Sequence, residues 1–395
     1  TSGPDALRRE QEAASGAPAS SPAPTAPPPP KKAPASSGAS TSSTNSTASP
    51  AHSRPVPRVT APSDSKSAAT TSPVMTKVVT TVKFRIALAA LLAFVGVAGA
   101  ETTFPYLPQT VANIRDFGGV SDYSSGTGVG TSNTAAFNAA LTAASGRCIY
   151  FPSGKYYFAT TPNAAVNTPL CLRGDGIEQT IIVFGPGATN GFVADQSNFT
   201  QPVAIKGMTI ATRGDETGAA ISASWSDADA TLNIDAKRLV VDDVFIRGEG
   251  NEAHGWQYCI KGHNAQWVDI GNGQCNGRVT SNTMAGRHIQ PAGIYFDNGA
   301  YNIAMGYVHN FRIMSVQTCI DTQAGSAGVM EGLTVVQFDC VNASKGINWG
   351  RSLPSPGLVV VGGHFNISDC GVCGSYAREA IISNLLVYKD PLTTS

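Results

Sequence analysis

Apolar residues between positions 200 and 390 recur in a short frame of six, apolar at both ends and often small or polar at the third position. The frame reads Ile205-Lys-Gly-Met-Thr-Ile210, Val241-Asp-Asp-Val-Phe-Ile246, Ile303-Ala-Met-Gly-Tyr-Val308, Met330-Glu-Gly-Leu-Thr-Val335, Val360-Val-Gly-Gly-His-Phe365 and Ile381-Ile-Ser-Asn-Leu-Leu386. Its starts lie 36, 62, 27, 30 and 21 residues apart, and 62 reads as two turns of a repeat. A second frame is a small residue, Ile, then a variable residue: Ala220-Ile-Ser222, Cys259-Ile-Lys261, Gly293-Ile-Tyr295, Cys319-Ile-Asp321 and Gly346-Ile-Asn348. Where both frames are visible, this isoleucine trails the first frame by 16, 19, 17 and 17 residues. Two strand signals in constant phase, repeating about every 30 residues, mark a solenoid. No helical period lies between them, which excludes leucine-rich and ankyrin arrays. The pattern predicts an all-β parallel β-helix with apolar side chains inward. The constant phase disfavours a β-sandwich with accidental spacing.

Upstream, Val111 to Phe117 alternates like a strand and Gly118 to Gly130 is a Gly/Ser-rich loop. Thr131 to Thr134 supplies N-cap side chains, and Ala136, Phe137, Ala140, Leu141 and Ala144 form one helix face that Gly146 ends. A strand at Cys148–Phe151, a turn at Pro152-Ser-Gly154 and a strand at Tyr156–Phe158 follow.

Composition divides the chain. Residues 1–100 carry 10 Lys and Arg against 4 Asp and Glu, and residues 101–395 carry 17 against 23. Residues 1–74 lack Phe, Tyr, Trp and Cys and hold 14 of the 25 prolines, so they are expected to be a disordered leader, untranslated if Met75 is the true start. Lys77, Lys83 and Arg85, the uncharged run Ile86–Ala100 and the small-x-small site Ala98-Gly-Ala100 predict a signal peptide over 75–100. That run falls short of the ~20 residues that span a bilayer, so no stable membrane anchor is expected. Residues 101–395 form the predicted β-helix domain, secreted, periplasmic or extracellular. Its acidity argues against nucleic acid as a partner. Eight cysteines are even in number, and export permits disulfides, but the sequence does not pair them. Cys370-x-x-Cys373 reads as a local disulfide or two buried thiols.

The segments Asn113-Ile-Arg-Asp-Phe-Gly118, Thr134-Ala-Ala-Phe-Asn-Ala-Ala140, Ile149-Tyr-Phe-Pro-Ser-Gly-Lys-Tyr156 and Leu172-Arg-Gly-Asp-Gly176 occur in order. Together they resemble the opening module of the pectate-lyase-like, rhamnogalacturonase/epimerase-like right-handed β-helix proteins. The resemblance is strong over 111–185. It implies a single-stranded right-handed parallel β-helix with an N-terminal capping helix, and action on polysaccharides as hydrolase, lyase or epimerase. Viral tail spikes share that fold. The pectin-hydrolysing branch carries Asn-Thr-Asp, Asp-Asp, Gly-His-Gly and Arg-Ile-Lys. Here Asp242-Asp243 alone matches, so polygalacturonase activity is not expected. Calcium would enter only with lyase chemistry, and no compact carboxylate cluster is visible, so no cofactor or metal is expected.

If the isoleucines of the second frame point inward, residues one and three positions later point outward. The first column reads Ser222, Lys261, Tyr295, Asp321, Asn348, and the second Ser224, His263, Asp297, Gln323, Gly350, with Arg351 beside it. Asp297 and Asp321 lie on neighbouring coils two residues apart, a diagonal of about 8 Å between backbones. That suits the acid and its partner in glycoside hydrolysis. Candidate catalytic residues are therefore Asp297, Asp321, Asp242, Asp243 and Glu331. Lys261, His263, Tyr295, Gln323, Asn348 and Arg351 are the candidate substrate-binding residues. Lys261 and His263 also suit a uronate carboxylate or the base of a β-elimination. Trp225, Trp256 and Trp349 are candidate sugar platforms, while His254, His288, His309 and His364 show no metal spacing. The expected function is cleavage of a polysaccharide, which would be the partner, by hydrolysis or β-elimination. The alternatives are a non-catalytic carbohydrate-binding or adhesion protein, or a tail-spike-like depolymerase. The protein is expected to be a monomer or homotrimer.

Overall fold

Three β-faces run through the described residues, and a complete coil gives one strand segment to each face. The computed structural model describes residues 111–144, 146–196, 201–226, 237–250, 253–281, 283–299, 303–323, 328–350, 354–374 and 377–389. The predicted leader and export signal lie outside them.

The first face stacks β1 (Val111–Asn113), β2 (Cys148–Tyr150), β5 (Leu170–Arg173) and the leading halves of β8 (Val203–Thr212), β10 (Arg238–Gly248), β12 (Trp267–Asn276), β15 (Tyr307–Met314), β18 (Thr334–Asn348), β19 (Leu358–Cys373) and β20 (Ala380–Lys389). The second face stacks β3 (Gly154–Phe158), β6 (Thr180–Phe184) and the following halves of the same long strands. The third stacks β4 (Ala165–Val166), β7 (Phe192–Gln196), β9 (Asp215–Trp225), β11 (Gly255–His263), β13 (Gln290–Asp297), β16 (Val316–Gln323) and the last segments of β18 and β19. Every ladder between these strands is parallel, which makes the protein a parallel β-helix.

The third face keeps the predicted phase. Ile221, Ile260, Ile294, Ile320, Ile347 and Val372 are register partners in succession. The first frame is correct at Ile205, Val241 and Val360 and misphased elsewhere. The ladder runs Ile205, Val241, Ile270, Val308, Val335, Val360, Ile382. The 62-residue interval hides the coil that begins at Ile270. Ile303 and Met330 belong to the preceding turn, where β14 (Ile303–Ala304) and β17 (Met330–Glu331) form a separate two-stranded sheet. Both are buried, so hydropathy alone does not separate them from the ladder.

The polar third position of the frame has a backbone cause. Gly207, Asp243, Asn272, Asn310, Gln337, Gly362 and Asn384 all have positive φ, between 47° and 68°, at the corner between the first and second faces. Only Gly adopts that region freely; Asn and Asp come next. Gln337 is the least suited and is exposed. Replacing it with Gly is expected to raise stability by about 1 kcal/mol, read as a higher urea midpoint.

The small residue before each third-face isoleucine also has a cause. It faces the last residue of the first frame on the next coil. Cys259 bonds to Cys275 and Cys319 to Cys340. Between them, a Cβ at Gly293 would lie 2.6 Å from Ile313 Cγ2. Cys148–Cys171 and Cys370–Cys373 complete four disulfides.

The helix α1 (Thr134–Ala144) caps the first coil as expected, burying Ala136, Phe137, Ala140 and Ala144. Phe137 packs against Phe151, Phe158 and Phe192 at ring distances of 5.4–6.4 Å, an aromatic plug under the cap. The buried Asn133 does not spend its side chain on the helix end. It binds Val120, Thr131 and Tyr157 backbone groups and so ties the Gly-rich loop down. The expected strand at 111–117 stops at Asn113, whose side chain accepts from Arg115 N and starts a 3-10 turn, Ile114–Phe117. A short helix α2 (Met284–Arg287) precedes β13. No helix among the described residues is long and apolar enough to cross a membrane.

Candidate active site on the third face

The two predicted columns stack as neighbours. Lys261 pairs with Ser222 and Tyr295, Tyr295 with Asp321, and Asp321 with Asn348. His263 pairs with Ser224 and Asp297, and Asp297 with Gln323. There the second column ends. Strand β18 stops at Asn348, and Gly350 turns with φ 65°. Arg351 lies outside the described residues.

Side chains cross-link this wall. His263 Nδ1 lies 2.6 Å from Asp297 Oδ1. Tyr295 donates its hydroxyl to Gln323 Oε1 at 2.9 Å, and Asn348 Nδ2 donates to Asp321 Oδ1 at 2.7 Å. Asp321 is 9% exposed, the more enclosed carboxylate of the pair. The Lys261 ammonium sits 5.9 Å from the Tyr258 ring centre and 5.8 Å from that of Tyr295, and the two rings are 5.1 Å apart. Burial, together with the Asp297 and Asp321 charges, raises the pKa of both phenols above the ordinary value, which keeps both neutral beside the carboxylates. The sequence pattern does not mark Tyr258. Strict alternation puts it inside with Ile260, whereas its ring is half-exposed on the wall.

The other candidates stand elsewhere. Asp243 occupies the left-handed corner between the first two faces, where burial and then the Asp242 charge raise its pKa against Lys206. Asp242 pairs with Lys206 at 2.7 Å and accepts from Asn272 at 2.9 Å. Glu331 lies on the separate β14–β17 sheet. The three tryptophans chosen as platforms are core residues: Trp225, Trp256 and Trp349 are at most 2% exposed. The fourth, Trp267, is half-buried, with Tyr307 edge-on at 5.7 Å. Among the described residues no group of three or more His, Cys, Asp or Glu is placed to hold a metal.

Three of the remaining histidines bind carboxylates: His254 to Asp215, His309 to Asp269 and His364 to Asp339. His309 fills the space above Gly271, where a Cβ would lie 2.1 Å from its ring. Its pKa is raised, first by the Asp269 hydrogen bond against burial, then by the Asp269 and Asp242 charges. A group raised on folding adds stability that is whole below the unfolded pKa and fades as pH rises through the folded one. The urea midpoint should therefore fall as pH rises above about 6.5, and His309→Gln should flatten that slope.

The fold and this wall define a class: a capped parallel β-helix with a polar, aromatic-bearing face. The model of the family described as rhamnogalacturonase A/epimerase, pectate lyase-like matches residues 111–348, and the chain belongs to that family. No curated protein matches it in sequence. Among solved structures, the A-module of the Azotobacter vinelandii mannuronan C-5 epimerase AlgE4 is 13% identical, with TM-score 0.33, over 72% of this chain and 90% of that one. The Agl-KA catalytic domain is 12% identical, with TM-score 0.28, over 71% and 69%.

Proposed function

We propose that the protein cleaves a polysaccharide by glycoside hydrolysis on the third face. The observation that carries this is the stacking of Asp297 and Asp321 on adjacent coils, each hydrogen-bonded by a neighbour. Their backbones lie about 8 Å apart on the diagonal, a spacing compatible with the carboxyl separations of a glycosidase acid and base. Asp297, which faces the imidazole of His263, is the base. Asp321, the more enclosed, is the acid. Tyr258 and Tyr295 offer ring faces and phenol donors to the sugar, and Gln323 and Asn348 hold the flanking groups.

One observation favours a second reading. Lys261 stands over the two tyrosines beside His263, a cation suited to a uronate carboxylate, as β-elimination requires. Export fits either reading, because four disulfides persist in oxidising compartments.

The test incubates the purified protein with a panel of neutral and acidic polysaccharides. It follows reducing ends together with the ultraviolet absorbance of unsaturated uronates. New reducing ends without absorbance are expected. Absorbance rising in step with them would replace hydrolysis by elimination. Binding to a polysaccharide with neither signal would make the wall a carbohydrate-binding face.

A further inference from the structure

We propose that Asn264 is a positioning residue of this wall. It holds His263 in the tautomer whose proton is on Nδ1, and so keeps a hydrogen bond aimed at the Asp297 carboxylate. The consequence for catalysis rests on the hydrolytic reading above; the geometry does not.

Asn264 directly follows His263 at the corner where the chain leaves the third face. It adopts φ 56°, a left-handed conformation that asparagine tolerates, and is 2% exposed. Two backbone groups orient its amide. Gly299 N–H donates to Oδ1 at 2.9 Å, and the Trp225 carbonyl accepts from Nδ2 at 3.0 Å. A backbone N–H does not accept and a carbonyl does not donate, so the amide oxygen and nitrogen are assigned without ambiguity. Nδ2 also lies 3.0 Å from His263 Nε2. Having only hydrogens to offer, it makes Nε2 the acceptor. The imidazole proton is then on Nδ1, 2.6 Å from Asp297 Oδ1.

The chain of donors runs Asn264 to His263 to Asp297. A second proton on Nε2 would set two donors head to head, so Asn264 opposes the imidazolium that Asp297 favours. The ionisable groups of the surrounding wall are Tyr258 and Lys261 on the histidine's own strand, Tyr295 and Asp297 on β13, and Asp321 on β16. Asp297 thereby stays an acceptor free of a competing acidic proton, as the base of a hydrolysis must be. Carboxylate–imidazole pairs also occur at His254, His309 and His364. The assigned backbone-anchored amide on the far nitrogen distinguishes His263.

The test is nitrogen-15 spectroscopy of the full-length protein labelled at its six histidines, with His263→Gln identifying the signals of interest. Near neutral pH, His263 should show a protonated Nδ1 and a bare Nε2. Asn264→Gly keeps the left-handed turn and removes the amide. The His263 titration midpoint should then rise by about one pH unit, the worth of one hydrogen bond. A protonated Nε2 in the native protein, or an unmoved midpoint in a folded Asn264→Gly variant, overturns the proposal. If that variant does not fold, the native tautomer alone decides. An Nδ1-protonated, bare-Nε2 His263 in a protein that cleaves no polysaccharide would sink the hydrolytic reading and leave the Asn264 assignment standing. A cleaving protein with Nε2 protonated would do the reverse.

Discussion

Asp297→Asn is expected to lower kcat on the cleaved polysaccharide by about 10²–10⁴-fold with little change in KM. On the hydrolytic reading the carboxylate acts on the reacting water, whereas the tyrosine rings and polar flanks bind the chain. Asp321→Asn should cost a similar factor. The double variant should be little worse than the poorer single, because an acid and a base that serve one step fail together. Lys261→Met and Tyr258→Phe should behave differently, raising KM more than they lower kcat. A kcat effect for Lys261→Met as large as that of Asp297→Asn would move the chemistry from hydrolysis towards elimination, where the cation stabilises the charge developing on the uronate.

A large stability effect is expected from the two disulfides that join successive coils in the middle of the solenoid. Cys259–Cys275 and Cys319–Cys340 span 16 and 21 residues and repeat one arrangement two coils apart. Each ties the third face of one coil to the second face of the next. Replacing either pair by Ala should cost about 3 kcal/mol, seen as a lower guanidinium midpoint. All four of these cysteines are fully buried, so a reductant reaches them only when the solenoid opens. Cys370 and Cys373 are half-exposed on β19. Under native conditions dithiothreitol should therefore free those two thiols first, as alkylation and mass spectrometry would show. Early labelling of Cys259 or Cys319 would mean that the core opens more readily than its packing implies.

The third face was legible residue by residue because one side of it is uniform. A small residue and an isoleucine recur on five successive coils, from Ile221 to Ile347, which sets the register and hence the order Lys261, Tyr295, Asp321 and His263, Asp297, Gln323. The first face was less legible. Ile303 and Met330 are as buried as the ladder residues five positions later, and the coil starting at Ile270 follows it with Gly271, Asn272 and Gly273, which carry no apolar side chain to mark a strand. Asp242-Asp243 drew attention as a carboxylate pair, yet position 243 is a backbone corner that asparagine, glycine and glutamine share on other coils. Four tryptophans look alike in sequence, and burial separates Trp267 from the rest only after folding. Asn264 gave no signal. Its role depends on the Trp225 carbonyl and the Gly299 amide, backbone groups on neighbouring coils that no residue type reports.

The central claim is that chemistry sits on the third face and not at the corner between the first two. The most direct measurement compares two double variants in the reducing-end assay, on whichever polysaccharide the native protein cleaves. Asp297→Asn with Asp321→Asn should lower cleavage by about 10²–10⁴-fold, while Asp242→Asn with Asp243→Asn should retain it, since asparagine already fills the corner of position 243 at positions 272, 310 and 384. Cleavage surviving the first pair and lost with the second, in folded proteins, would contradict the account.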